Sequence, residues 1–522
     1  MRNDRLIESK YNVKFEEILQ MNEEDFHDWA VGLRQTVVDL WDNHGLPPVV
    51  GYTDEQIIDQ FSQLESYPVH KDFLKKDELT GTMDVIRNTS NLGNAVNSYF
   101  PAMMKTPIGY NGDGTGKSIY DFFAKDELLE RFKTYSRRHF KRDSFYHYSN
   151  PIKPRDQRYP QVPMVDTGVD FVRDFEKHAS SYVASRGWYY WICPVKEDAE
   201  YTGYDEKLKG QKYLTLNRAE IEQLVSEKII KIGEGPASNI DFERSESYTI
   251  RVFELGQKIF PLGFKAFKIS FSQYAVNFPP LTAKYLYERF TMNLKRDNPN
   301  EPLNVYDPSM GWGGRLLGAL SVRDDLRVNY IGTDPNSDNM SRYCEVYETY
   351  TRNIRKGGLF ELPHNGIVSF GLGSEVIADD PLFQTFKGKL DFAFTSPPYF
   401  EKEQYSQEPT QSFKKFPQYD LWVNGFLRPT IKTICEYLRH DRYAVWNIAD
   451  VKFGNEMLPL EEDSMKAFQD YGMRFMYKLK MALSPMPGGN RTKEDGTGTA
   501  KNTCKVNGLL LKYEPLFVFY KP

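Results

Sequence analysis

Thr395-Ser396-Pro397-Pro398-Tyr399 directly follows the apolar run Leu390-Asp391-Phe392-Ala393-Phe394. Two consecutive prolines remove two backbone donors and fix φ, so the turn is rigid and the carbonyls ahead of it point away from any strand ladder. A hydroxyl (Ser396), a free carbonyl (Pro397) and a ring (Tyr399) are then presented together at the carboxyl end of a strand, where open α/β sheets bind their ligands. Such acceptors suit an amine whose lone pair is delocalised into a ring. By engaging its hydrogens they draw the nitrogen towards tetrahedral geometry and stabilise the cation that forms as it attacks. Tyr399, or Phe400 beside it, can stack on a base taken out of a helix. No cysteine lies beside this turn, which counts against covalent catalysis at a ring carbon. In isolation the same residues would serve as a strand-terminating turn with an aromatic plug, so the surrounding elements decide.

Two further constellations lie upstream. Asp307-Pro308-Ser309-Met310-Gly311-Trp312-Gly313-Gly314-Arg315 follows a short apolar strand and opens a helix. Glycines there let backbone approach a ligand, and the helix start offers free N–H groups. A dinucleotide fingerprint would need its third glycine at position 316, which is Leu316, so the turn is a poor match for a pyrophosphate. Asp334 closes the next strand, where a carboxylate can accept from two ribose hydroxyls; Asp334-Pro335-Asn336 also reads as a helix cap.

The elements that must position these groups are legible beyond residue 270. Strands are expected at 303–307, 328–334, 366–370, 390–394 and 443–448, with helices at 336–355, 418–439 and 459–471. Residues 473–481 and 515–520 then read as two strands with no helix between, separated by a Gly-, Lys- and Thr-rich surface loop at 488–507. Alternating βα units ending in a strand pair predict an α/β fold with a seven-stranded sheet containing one antiparallel strand.

The order Asp-Pro-x-x-Gly-x-Gly-Gly, strand-end Asp, then Thr-Ser-Pro-Pro-Tyr-Phe resembles the DNA amino-methyltransferases of the TSPPY kind, over about residues 275–522. The resemblance implies a Rossmann-like seven-stranded methyltransferase sheet. It also implies S-adenosyl-L-methionine as cofactor and transfer of a methyl group to the exocyclic amine of a flipped base. On that basis the cofactor falls to Asp307, Pro308, Ser309, Gly311, Gly313 and Asp334. Lys284, within Phe278-Pro279-Pro280-Leu281-Thr282-Ala283-Lys284, resembles the family's additional cofactor element, and Ser374, within Gly373-Ser374-Glu375, stands where the family often carries a substrate-side or adenine-contacting polar group and is assigned to the cofactor. Ser396, Pro397, Pro398 and Tyr399 would carry the chemistry, with Thr395 and Phe400 on the substrate side. Ser309 and Gly314 stand where the family commonly has Phe and Thr, and Trp312 is unusual. Serine at 396 resembles the cytosine 4-amino subset but also occurs in adenine enzymes, so the target base stays open.

Residues 1–270 read as an N-terminal α+β region distinct from the methyltransferase domain at 271–522. Target recognition is expected there, because the interval between the glycine turn and the fourth strand holds only sheet units. Its best candidate is the run 131–142, with six basic residues among aromatics; Arg137, Arg138, Lys141 and Arg142 would contact phosphates. Residues 111–118 resemble a phosphate loop but begin with Asn111 and follow no strand. The net charge of −5 excludes a surface positive throughout, so a double-stranded DNA partner, or less favourably RNA, would meet a local patch. The 4 cysteines form no ligand or disulfide pattern, no metal is expected, and the N-terminus lacks an apolar signal core. These features predict a cytoplasmic enzyme with no membrane span. An RNA methyltransferase and a catalytically silent nucleic-acid-binding scaffold are the alternatives.

Overall fold

A computed structural model describes residues 21–44, 52, 54–70, 73–108, 116–133, 275–294, 301–323, 326–351, 365–483 and 502–522, together with three isolated strands. Those three, β3 (Ile192–Pro194), β4 (Lys212–Asn217) and β5 (Ser247–Val252), form an antiparallel sheet in the order β3-β5-β4.

The main sheet is built around β9 (Leu390–Thr395), whose six residues are all buried. Such a continuous apolar strand belongs at the centre of a parallel sheet covered on both faces. On one side lie β6 (Leu303–Asp307), β7 (Val328–Thr333) and β8 (Gly366–Phe370), all parallel. On the other lies β10 (Leu438–Asn447), also parallel, then β15 (Leu509–Lys521), which runs antiparallel, and β13 (Arg474–Ala482). The order β13-β15-β10-β9-β6-β7-β8 is the seven-stranded Rossmann-like arrangement expected, with β15 as the reversed strand. A hairpin of β11 (Val451–Phe453) and β12 (Glu456–Leu458) follows β10, and β14 (Thr503–Val506) folds back on β15.

The strands' two-residue period sorts their side chains into two layers. Val305, Phe392, Phe394, Val445 and Val518 join one cluster with the helices α3 (Pro280–Thr291), α4 (Gly314–Leu320) and α5 (Ser337–Thr351). Tyr306, Ala393, Ala444, Trp446 and Phe519 join the other, with α6 (Arg428–Tyr437) and α7 (Leu460–Asp470). The expected helix at 418–439 is interrupted: Tyr419–Trp422 is α-helical, Val423–Leu427 forms a π turn, and α6 follows.

The sheet reaches back across residue 270. β1 (Leu74–Lys76) and β2 (Met83–Ile86) pair with each other, and β2 lies parallel to β13. Asp77, fully buried, fastens this hairpin by accepting from Lys480 Nζ (2.7 Å), Leu79 N (3.0 Å) and Lys505 N (3.0 Å). Residues of α2 (Asp54–Ser66) and the turns at 94–105 share the core of α3–α5. α1 (Glu23–His44) builds a separate apolar cluster, against residues 104–132. Arg137, Arg138, Lys141 and Arg142 lie outside the described residues, as do Asn111 and most of the 488–507 loop. Lys133, from the same basic run, pairs with Glu23 (3.0 Å) and Glu130 (3.2 Å), so it fastens α1.

Gly318 sets how closely α3 and α4 approach. A Cβ at this position would lie 2.5 Å from Ala283 Cβ and 2.8 Å from the backbone oxygen of Pro280. Alanine gains roughly 0.5–1 kcal/mol of helix propensity over glycine, but overpacking against immovable atoms costs about 1–3 kcal/mol. Gly318→Ala should therefore lower the urea midpoint with an unchanged m-value; a rise would mean the helices separate freely.

Candidate active site

Asp307 ends β6 with its side chain fully buried. A buried carboxylate is tolerated only when its lone pairs are met by donors, and here four groups meet them. Oδ1 accepts from Thr395 Oγ1 (2.7 Å) and Ser309 N (3.1 Å). Oδ2 accepts from Arg315 Nε (2.8 Å) and the Tyr330 hydroxyl (2.6 Å). One side chain thus ties β6, β7, β9 and α4 together. Arg315 extends the tie by donating to the Ser309 carbonyl and lying over the rings of Phe278 (5.8 Å) and Phe394 (6.0 Å).

The glycine turn is held from both sides. Gly311 N donates to Asp334 Oδ2 (3.0 Å), which also accepts from the Tyr343 hydroxyl (2.6 Å) and Asn339 Nδ2 (3.3 Å). Asp334 Oδ1 accepts from Asn336 N alone (2.9 Å), so the helix-cap bond is present and this oxygen retains acceptor capacity. Burial pushes the Asp334 carboxyl up, and its hydrogen bonds oppose that shift. On the opposite side Asn277 Nδ2 donates to Trp312 O (2.7 Å) and Asn97 Oδ1 (2.8 Å), while its Oδ1 accepts from Gly314 N (3.3 Å). Gly311 and Gly313 both take left-handed φ, +58° and +71°. A Cβ on Gly313 would meet the Phe100 ring at 2.8 Å, whereas one on Gly311 would find nothing nearer than 3.8 Å. A side chain at Gly311 would therefore meet only ordinary contacts, from Ser309 O and Arg315, beside the Asp334 carboxylate.

The Ser-Pro-Pro-Tyr turn leaves β9 next to this cradle. Thr395 and Pro397 are buried, while Ser396, Pro398 and Tyr399 are half-buried. Phe400 takes φ +53°, and its buried ring touches Tyr419, Trp422 and Phe453 edge-on at 5.7, 5.8 and 5.5 Å. The chain then doubles back across the carboxyl edge of the sheet. Gln404 N donates to Pro107 O (3.3 Å), and Tyr405 packs edge-on against Trp312 (5.3 Å). Beyond it, Glu408 Oε2 accepts from Ser337 N (3.2 Å) and Thr410 Oγ1 donates to Pro335 O (3.1 Å). This strap covers the glycine turn and reaches the end of β7.

Asp307, Gly311, Gly313, Asp334, Ser396, Pro397 and Tyr399 are thus gathered at one sheet edge. Pro308 joins them through its carbonyl, which accepts from Thr333 Oγ1 (2.6 Å), and Ser309 through the bonds given above. Other sequence-nominated residues lie elsewhere. Lys284 Nζ donates to the carbonyls of Leu64 (2.8 Å) and Glu65 and lies 3.7 Å from Glu288, a buried anchor between α2 and α3. Ser374 is buried against the Thr430 hydroxyl (2.8 Å), and Phe400 belongs to the core. Sequence reasoning passed over Arg315 as a tie and missed Asn277 and Tyr343, which hold the glycine turn. Among the described residues no His, Cys, Asp or Glu group is arranged to hold a metal, and no helix is long and apolar enough to cross a membrane.

No family model matches the chain, and no curated protein matches it. Solved structures do. The precorrin-6y C5,15-methyltransferase of Geobacter metallireducens is 9% identical, with a TM-score of 0.24 over 42% of this chain and 81% of its own. A TehB-like SAM-dependent methyltransferase of Corynebacterium glutamicum is 13% identical, with a TM-score of 0.23 over 47% and 89%. A candidate DNA modification methylase of Thermus thermophilus, solved with S-adenosyl-L-methionine, is 18% identical, with a TM-score of 0.19; 28% of this chain spans about half (52%) of that one.

Arg315→Ala leaves Asp307 buried without its charged partner. Breaking such a pair costs about 3–5 kcal/mol, and urea unfolding should register a loss of that size. A loss below about 1 kcal/mol, the scale of a surface pair, would show that Asp307 is not dependent on Arg315.

Proposed function

We propose that this chain is an S-adenosyl-L-methionine-dependent methyltransferase acting on the exocyclic amino group of a nucleic-acid base, with DNA as the foremost substrate. The observation that carries the reading is the 2.7 Å bond from Thr395 to Asp307. It fastens the turn that can hold an amine to the strand end that begins the glycine cradle, which sets the two turns side by side.

The residues present fit the cofactor. Gly311 has no side chain and no close neighbour to block a ligand beside the turn, and Asp334 Oδ1 has capacity left for a ribose hydroxyl. Bound there, the cofactor supplies an electrophilic methyl group on a sulfonium. The protein's own part is positional and electrostatic. The Ser396 hydroxyl and Pro397 carbonyl accept the amine hydrogens, and the Pro-Pro turn keeps them from relaxing away. Tyr399, half-exposed beside them, offers its ring to the base. The strap from Tyr405 to Thr410 excludes water from the cradle, which strengthens each of these contacts. Recognition of a DNA sequence by residues within 1–270, with Arg137, Arg138, Lys141 and Arg142 at phosphates, belongs to the same proposal.

Calorimetry with S-adenosyl-L-methionine and methyl transfer to unmethylated DNA and to total RNA test it, with nucleoside mass spectrometry identifying the base. Ser396→Ala should reduce kcat on the order of 10²–10³-fold, the range for one lost acceptor or donor at a developing charge, and spare cofactor affinity. Absence of cofactor binding by the folded protein would sink the reading; transfer to RNA alone would move it to the RNA alternative.

A further inference from the structure

An amine that is methylated with both hydrogens in place becomes a cation and must lose a proton. Neither the Ser396 hydroxyl nor the Pro397 carbonyl can keep one at neutral pH. The strand register supplies another group. Trp446 of β10 lies beside Thr395 of β9, and Asn447 lies opposite Leu516 of β15. Ser396, Asn447 and Glu514 therefore line the same carboxyl edge on adjacent strands. Two strand spacings and the two-residue offset from Leu516 to Glu514 separate the backbones of the outer pair by about 12 Å.

β13 sets Met481 against Glu514, and polar groups approach it from three other elements. Asn447 of β10, 1% exposed, gives Nδ2 to Pro515 O (3.0 Å), opposes the upward shift of the Glu514 carboxyl, and among the described residues keeps a buried Oδ1 with no partner. Tyr399 comes from the base turn, its hydroxyl 3.5 Å from Asn447 O. Glu403 comes from the strap, where the Tyr405 hydroxyl donates to it and Lys402 is its nearest cation. Among the described residues neither Glu403 nor Glu514 has an ion pair.

We propose that Glu514 is the proton acceptor of the methyl transfer, tuned by the like charge of Glu403; this rests on the function proposed above. The amine lone pair forms the N–C bond, and the pair of the breaking C–S bond stays with sulfur, leaving a neutral thioether. One N–H pair returns to nitrogen as its proton passes to a Glu514 carboxylate oxygen and then to water. Loss of water around Glu514 pushes its carboxyl up to about 7, with the Glu403 charge adding to the shift and the Asn447 bond opposing it. A base is most effective when its pKa lies near the working pH.

The base works ionised, so kcat should rise with pH through about 7 and then level. Glu514→Gln should lower kcat on the order of 100-fold and abolish that rise, with cofactor affinity by calorimetry unchanged. Glu403→Gln removes the like charge, so its rise in kcat should move to lower pH. A readout independent of turnover follows from the same shift. A carboxyl raised in the folded state stabilises the fold most below its unfolded value, and that contribution is lost as pH climbs from 4.5 towards 7. Wild type should therefore lose stability relative to Glu514→Gln across that window in urea. Wild-type turnover with an unaltered pH profile and rate in the Glu514→Gln variant overturns the inference and leaves the proposed function standing. If that variant does not fold, the Glu403→Gln profile decides, and an unmoved rise overturns it. Wild type that transfers no methyl group overturns the proposed function, and this inference falls with it.

Discussion

The fold is organised around a charge placed where charge is expensive. Asp307 sits at 0% exposure between two apolar layers, and each of its donors comes from a different direction. Satisfying one carboxylate fixes the register of β6 against β9 through Thr395 and the spacing to β7 through Tyr330. It also sets the direction in which α4 departs, through Arg315. A hydrophobic core of this size tolerates small displacements of its layers; a buried anion with four directional bonds does not. The glycine turn and the Ser-Pro-Pro-Tyr turn inherit their relative placement from this single residue.

The second constraint is the tie between Asp334 and Gly311. It reaches from the end of β7 to the middle of the glycine turn, and Tyr343 on α5 secures it. The same carboxylate that the sequence offers to a ligand therefore shapes the cradle for that ligand. Its two oxygens divide the work, Oδ2 holding protein and Oδ1 remaining mostly open. The strap adds a third connection, since Tyr405 and Thr410 join the base turn to Trp312 and Pro335 without passing through the sheet.

Much of this was legible in the chain. Continuous apolar runs at β6, β7 and β9 signal strands buried on both faces, and β8, β10, β13 and β15 lie where strands were expected. The hairpin β1-β2 was not legible, because Leu74-Lys75-Lys76 has no alternation and acquires its place only by pairing with distant β13. The helix expected over 418–439 is broken at Val423–Leu427, where Gly425 yields space to the Phe416 ring and Pro429 lacks a backbone donor. In the site, the motifs name two turns that the fold brings to one sheet edge. Lys284 and Ser374 sit on motif-like segments yet point into packed interiors, an outcome decided by α2 and α6, which no local pattern reports. Glu514 reaches the carboxyl edge of the sheet only through the reversal of β15, a long-range event.

Phe400 gives the arrangement an unexpected dependence. A left-handed backbone at a non-glycine residue is strained, and here the ring's burial among Tyr419, Trp422 and Phe453 offsets that strain. The reversal sends Phe400 into the core while leaving its neighbour Tyr399 half-buried, so the aim of one ring is set by the seating of the other. Trp422 and Phe453 have no atoms in the site, yet they are the bearing on which its aromatic wall is mounted. A change of shape at either is a change in where the pocket points.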